Sequence, residues 1–155
     1  GADLGGAHLE GADLTDARLE EANLASAHLE RASLAFANLK GVNLAHAQLE
    51  RAELLNANLE GADLWGAKLN LAYLEGTKWS PATQLEQVDW GQVGQEAEGE
   101  FETAERIYRS LEKWHGEHGI RDLASGFAYK KQRARRKAIG AETRRKFREA
   151  LKWRG

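Results

Sequence analysis

The sequence contains no cysteine, no methionine and a single proline, Pro81. Without cysteine there is no disulfide framework, no thiolate metal site and no thiol nucleophile, and the redox compartment cannot be read from the chain. No apolar run approaches the ~18 to 20 residues of a membrane span, and no secretory signal is present, so a soluble chain is expected. Aromatic residues are sparse at 8%. The repeat described below begins at once with Gly1-Ala2-Asp3-Leu4, with no initiating methionine. That start leads us to expect a piece of a longer protein with further coils or a cap upstream, because an open first coil is an exposed edge.

What the chain does have is a period of five. Leucine occupies positions 4, 9, 14, 19, 24, 29, 34, 39, 44, 49, 54, 59, 64, 69 and 74 without insertion. Alanine stands two residues before each of them except Leu44, where Val42 takes its place. A helix needs an apolar period near 3.6 and a strand needs 2, so a sustained period of five fits neither. It signals a repeat architecture in which the chain turns a corner every five residues. One large and one small apolar residue per unit can fill a narrow interior at native density.

The units Ala2-Asp3-Leu4, Ala12-Asp13-Leu14, Ala22-Asn23-Leu24 and Ala62-Asp63-Leu64 closely resemble the pentapeptide-repeat family. The resemblance covers about half of the chain. It implies a mainly β fold, a right-handed quadrilateral β-helix with four pentapeptides per coil, leucine and alanine inward and the other positions outward. Residues twenty apart then stack at ~4.8 Å. Asp3, Asn23, Asn43 and Asp63 form one outward column, expected to bond the corners of successive coils. Glu10, Glu30 and Glu50 form another, with Arg31 and Arg51 beside them and His8 and His28 two residues earlier. Alternating charge at that spacing is expected to give a solvated salt ladder. Around the third face lie Ala35, Phe36, Leu55, Leu71 and Tyr73, with Trp65 nearby on another face. Large apolar side chains at outward positions predict a covered or interacting surface, either packed by the C-terminal segment or open to a protein partner.

Beyond Leu74 the pattern decays. Thr77-Lys78-Trp79 is a sixteenth unit, and Thr83-Gln84-Leu85 and Val88-Asp89-Trp90 resume one residue out of register, with Pro81 in the slip. Proline lacks the donor that a ladder needs and suits a corner or bulge. Trp79 and Trp90 are expected to plug the end of the coil, which places the repeat unit at residues 1–93. Residues 94–100, acidic and carrying two glycines, read as a linker, followed by a helical segment over 101–155. Phe101, Ala104, Ile107, Tyr108, Leu111 and Trp114 recur at three and four and predict an amphipathic helix. His115-Gly116-Glu117-His118-Gly119 is expected to break it. A second helix with Leu123 and Phe127 runs from about Arg121 to Gly140, and a short third covers Ala141 to Trp153. The pair looks like a single tetratricopeptide-type hairpin, which cannot bury its own apolar stripe and should dock on the coil or on another copy.

The formal net charge of −2 hides a division. Residues 1–80 are net −6 and residues 81–155 net +4; from Lys130 onward twelve bases face only Glu142 and Glu149. Ala104 to Leu111, Gly119, Ala124 to Tyr129 and Arg135-Arg136 resemble the helical element that follows pentapeptide repeats in larger bacterial membrane proteins, some of ion-channel type. The resemblance implies a cytoplasmic juxtamembrane segment, with Lys152-Trp153-Arg154 at the membrane surface. Lys130, Lys131, Arg133, Arg135, Arg136, Lys137, Arg144, Arg145, Lys146 and Arg148 would then face anionic lipid. Two other readings stay open: a solvated helical surface, and phosphate neutralisation on nucleic acid, for which no recognition motif is present.

Nothing points to catalysis. His115 and His118 form an H-x-x-H pair in what reads as a solvated glycine turn, with only Glu117 near. The serines lie in no nucleophile-elbow setting, the glycines follow the five-residue corners rather than forming a phosphate loop, and no cofactor or small-molecule substrate is implied. The expectation is a non-enzymatic, cytoplasmic interaction scaffold that assembles with a protein partner or with itself, as the soluble region of a larger membrane-associated protein. The alternative follows from the family resemblance, some of whose members mimic duplex DNA and act on type II topoisomerases.

Overall fold

The computed structural model describes residues 1–119 and 121–152, with the side chains of 121–123 and 150–152 left aside. It divides into two compact units, Gly1–Ala97 and Glu98–Gly155.

The first unit is a four-sided coil. Parallel bridges join Asp3, Asn23, Asn43 and Asp63 on one wall and His8, His28, Gln48 and Lys68 on the next. Asp13, Ser33, Glu53 and Tyr73 form the third wall, and Arg18, Asn38, Asn58 and Lys78 the fourth. Each step along a wall is twenty residues, which makes four pentapeptides per turn.

The backbone hydrogen bonds explain the five-residue unit. In the unit Asn23 to Ala27, Asn23 N donates to Ala2 O in the coil before at 2.8 Å. Leu24 N and Ser26 N donate to Asn43 O and Ala45 O in the coil after, at 2.7 and 2.8 Å. Ala27 N closes the corner on Leu24 O at 3.0 Å. The fifth donor, Ala25 N, has no backbone partner in this scheme and is taken by the Asn23 side-chain oxygen at 3.1 Å. All five donors are satisfied, as a buried backbone requires. The Asp or Asn before each leucine therefore serves chiefly its own corner: Asp3, Asp13, Asn43, Asn58 and Asp63 accept from the amide two residues on. The expected contact between successive coils is present at Asn23 Nδ2 to Asp3 Oδ1, 2.8 Å.

The second residue after each leucine adopts positive φ, as in Gly6 (65°), Gly41 (65°), Ser26 (57°) and Arg51 (63°). With the Leu O to Ala N–H bond this is a type II turn. A turn every five residues leaves room for only one bridged residue per wall. Among the described residues no extended strand forms, so the expectation of a mainly β chain is corrected to a solenoid of bridges and turns. Its interior is apolar: Leu24 to Leu69 and the alanines between them on the inward positions, with Val42, are essentially fully buried.

The slip at Pro81 appears as a change of register. Asn58 pairs with Lys78, twenty residues on, but Asp63 pairs with Gln84 and Lys68 with Asp89, twenty-one on. Thr83 stabilises the insertion by donating its hydroxyl to Leu59 O at 2.9 Å. Trp90 is buried and meets Trp79 edge-on at 6.2 Å; Trp79 itself is half-buried. Residues 94–100, expected as a linker, are partly structured. Gly94–Ala97 forms a short helix, α1, with Gly94, Gln95 and Glu96 buried. Gly94 N donates to Ala72 O at 2.8 Å, which carries the ladder past Val93.

The second unit is an antiparallel hairpin of α2, Phe101–Glu117, and α3, Arg121–Lys152. Ala104, Ile107, Tyr108 and Leu111 on α2 are buried, with Phe127 and Ala134 on α3. Phe101 and Trp114 are only half-buried, and the Leu123 side chain lies outside the described residues. Two expectations are corrected. Gly116 lies inside α2, which ends instead at His118 and the left-handed Gly119 (φ 76°), as glycine does after a helix C-terminus. α3 also continues through Gly140, so among the described residues the stretch from Ala141 to Lys152 belongs to α3 and is not a separate helix. An interior glycine costs only about 1 kcal/mol against alanine, and Ala138 and Ala141 beside it favour the helix.

Candidate functional site

The outward residues divide into those the coil explains and those it does not. The Asp and Asn on the walls, one residue before a leucine, are explained by the corner amide they bind. Phe36 is not. It occupies a left-handed corner (φ 60°) where glycine or asparagine fits, and its ring is 59% exposed. The left-handed conformation costs a side-chain-bearing residue roughly 1–2 kcal/mol, and here no burial offsets it.

The register places the other candidates around it. Leu55 stands one coil on from Ala35, so Phe36 and Leu55 share the corner between the third and fourth walls. Tyr73 is on the third wall and Leu71, also left-handed at φ 63°, on the corner before it. Leu55, Leu71 and Tyr73 are half-buried. Leu71 N bonds Gln92 O at 2.6 Å, and Gly94 lies so close to the Tyr73 ring that an added Cβ would come within 2.9 Å of it. The terminal segment of the first unit thus covers the Leu71 and Tyr73 end of the surface and leaves Phe36 bare. Trp65 lies elsewhere, on the corner between the first and second walls, where it meets His46 edge-on at 4.6 Å with 42% of its surface exposed.

On the second wall the expected Glu–Arg ladder is replaced by a histidine–glutamate cluster. His8 and His28 stack with centroids 4.5 Å apart. His8 Nδ1 lies 2.8 Å from Glu10 Oε1, and this hydrogen bond holds the Glu10 carboxyl below the usual carboxylate range. His28 Nδ1 lies 3.9 Å from Glu10 Oε1 and 3.7 Å from Glu30 Oε1. Among the described residues, neither Arg31 nor Arg51, both on left-handed corner positions, pairs with these glutamates. The column reading placed His8 and His28 beside the glutamates but assigned the pairing to arginine; the spacing of twenty between the two histidines, matching the coil, was the signal that they stack.

On the hairpin, the ten bases do different things. Lys131 pairs with Glu112, and Lys146 with Glu142 at 2.8 Å. Lys130 lies over the Tyr108 and Phe127 rings at 5.9 and 5.6 Å, and Lys137 over Phe101 at 5.4 Å. Arg133, Arg135, Arg136, Arg144, Arg145 and Arg148 are exposed. Ile139 and Phe147 are exposed among them, at 57% and 66%. His115, expected in a solvated turn, is buried: it continues the α2 stripe four residues after Leu111, donating Nδ1–H to Leu111 O at 2.7 Å. His118 Nδ1–H donates to Trp114 O at 2.7 Å in the same way. No helix among the described residues is long and apolar enough to cross a membrane.

Comparison with known proteins bears on the repeats of the first unit. Pentapeptide repeats, in eight copies, match residues 1–35 and 37–76. The matched residues all lie in the first unit, and the five-residue period of their sequence is the period of its four-sided coil. A comparison with curated proteins finds no significant match. Among solved structures, the chain is similar to AT2G44920, a pentapeptide repeat protein from the Arabidopsis thaliana thylakoid lumen. Identity is 22% over 57% of this chain and 61% of that one, with a TM-score of 0.40. It is also similar to the pentapeptide repeat protein Rfr23 from the cyanobacterium Cyanothece 51142, at 36% over 51% and 64%, TM-score 0.33. A third is QnrB1, a plasmid-mediated fluoroquinolone resistance protein, at 20% over 56% and 51%, TM-score 0.25. The chain spans less than two thirds of each of these proteins.

Proposed function

We propose that this chain is a non-enzymatic interaction scaffold whose repeat unit contacts a protein surface through the corner that carries Phe36 and Leu55, a second copy of the chain being the simplest partner. The observation that carries the reading is Phe36 itself, a large apolar residue 59% exposed at a corner whose left-handed backbone the other units fill mostly with glycine or polar residues, so that core packing does not account for it. A rigid rod with regular outward columns presents surfaces rather than a cleft, which suits recognition better than catalysis. The test is light scattering behind size exclusion. The wild-type chain should exceed its monomer mass at micromolar concentration and Phe36→Ser should return to it; a monomeric wild type would rule out the self-assembling form.

A second reading is favoured by α3, where Ile139 and Phe147 are exposed among arginines. It places this helix at an anionic membrane surface in a larger cytoplasmic, membrane-associated protein. Flotation with phosphatidylserine vesicles but not with neutral ones would support it, and equal behaviour with both would remove it. Topoisomerase mimicry is disfavoured because Arg18, Lys68 and Lys78 interrupt the bridged columns. An unchanged gyrase supercoiling rate with added protein is the expected result.

A further inference from the structure

We propose that His8, Glu10 and His28 form a binding site for a divalent transition metal of the zinc class. A ligand atom of each lies within 4.8 Å of the other two. Zinc holds imidazole nitrogen and carboxylate oxygen at about 2.0–2.2 Å, so ligand atoms sharing one tetrahedral ion stand roughly 3.3 Å apart. The separations of 2.8 and 3.9 Å from Glu10 Oε1 to the two histidine Nδ1 atoms bracket that value. Binding one ion requires the stacked His8 and His28 rings to turn about their side-chain torsions until their in-plane lone pairs converge on it with Glu10.

Three further features of the cluster favour an ion. Glu30 Oε1 lies 3.7 Å from His28 Nδ1, near enough to supply a fourth ligand. Its other oxygen, Oε2, is buried with no hydrogen-bond partner among the described residues, a costly state for a carboxylate that a neighbouring cation relieves. The histidines are carried on bridged positions of successive coils, so the backbone holds their separation fixed. Gln48 Nε2 lies 2.9 Å from His28 Nδ1 and 3.3 Å from its Nε2, and the amide turns aside when a metal takes a ring nitrogen. On His8 the Nδ1 hydrogen shared with Glu10 moves to Nε2, so the ring binds as neutral imidazole. The donor set of two imidazoles and carboxylate suits zinc, nickel or copper and not calcium or magnesium.

The experiment is a titration of the full chain with zinc in competition with a chromophoric chelator, alongside His8→Ala, His28→Ala and, as a control, His118→Ala. His8 and His28 side chains are 74% and 33% exposed, so their removal leaves the core intact. The expected result is one zinc per chain, weakened by about tenfold or more in either site variant and unchanged in the control. Circular dichroism of each variant confirms that the fold survives. Absence of zinc uptake by the wild type, or uptake undiminished when His8 and His28 are both replaced, would overturn the proposal.

Discussion

At the scale of single residues, the coil is governed by which amide each side chain serves and which corner it must turn. Asn43 Oδ1 accepts Ala45 N–H at 3.0 Å, a donor with no backbone partner. Asn43→Ala should therefore cost about 1 kcal/mol, the price of an unmet buried donor, read as a lower midpoint in urea. The left-handed corners make a contrasting pair. Gly76 (φ 70°) lies under Asn56, whose Oδ1 would stand 2.1 Å from an added Cβ, whereas Gly11 (φ 66°) has nothing within 4 Å. Gly11→Ala should lose roughly 1 kcal/mol from the conformation alone, and Gly76→Ala distinctly more because the clash adds to it. Asp13 gives a pH handle. Hydrogen bonds from the Thr15 hydroxyl, then from its backbone amide, hold the carboxyl below the usual aspartate value. A depressed folded value means that this contribution is present above the unfolded-state value and is lost as pH falls through the folded one. Carboxyl-carbon NMR should show Asp13 titrating low in the wild type and higher in Thr15→Ala.

At the scale of elements, the interior wall and the hairpin differ in what holds them. Leu44 is fully buried, and Leu44→Ala should cost about 2–5 kcal/mol, since stacked coils cannot close the cavity. On α3, Gly140 has no neighbour that a Cβ would meet, so Gly140→Ala should raise helix stability by up to about 1 kcal/mol, seen as a higher thermal midpoint. These two sites also show what was legible beforehand. The period of five announced the coil because every unit repeats the same leucine, alanine and corner chemistry. The extent of the helices was less legible: Gly116 and Gly140 read as breaks, yet each sits within a run of good helix formers whose cooperative bonds outweigh one glycine. His115 read as a turn residue because its polarity masked its place on the Ile107, Leu111 stripe. The short helix α1 was hidden by acidic composition, although Glu96 within it is buried.

At the scale of the whole molecule, an acidic repeat unit and a basic helical unit add to a near-neutral chain, net −2. Neither outward column charge nor overall charge singles out a partner. What singles out a surface is the exposed Phe36 corner, bare where the Leu71 and Tyr73 end is covered by Gln92 and Gly94. The histidine–glutamate wall lies around another edge of the coil, so metal binding and association through Phe36 should be independent, and zinc should leave the association unchanged. The measurement that tests the central claim most directly is amide hydrogen exchange of the chain at low and high protein concentration. The account predicts that slowing on association centres on the corner around Phe36, Leu55 and Asn56. Protection confined to the helical unit, or no change with concentration, would contradict it.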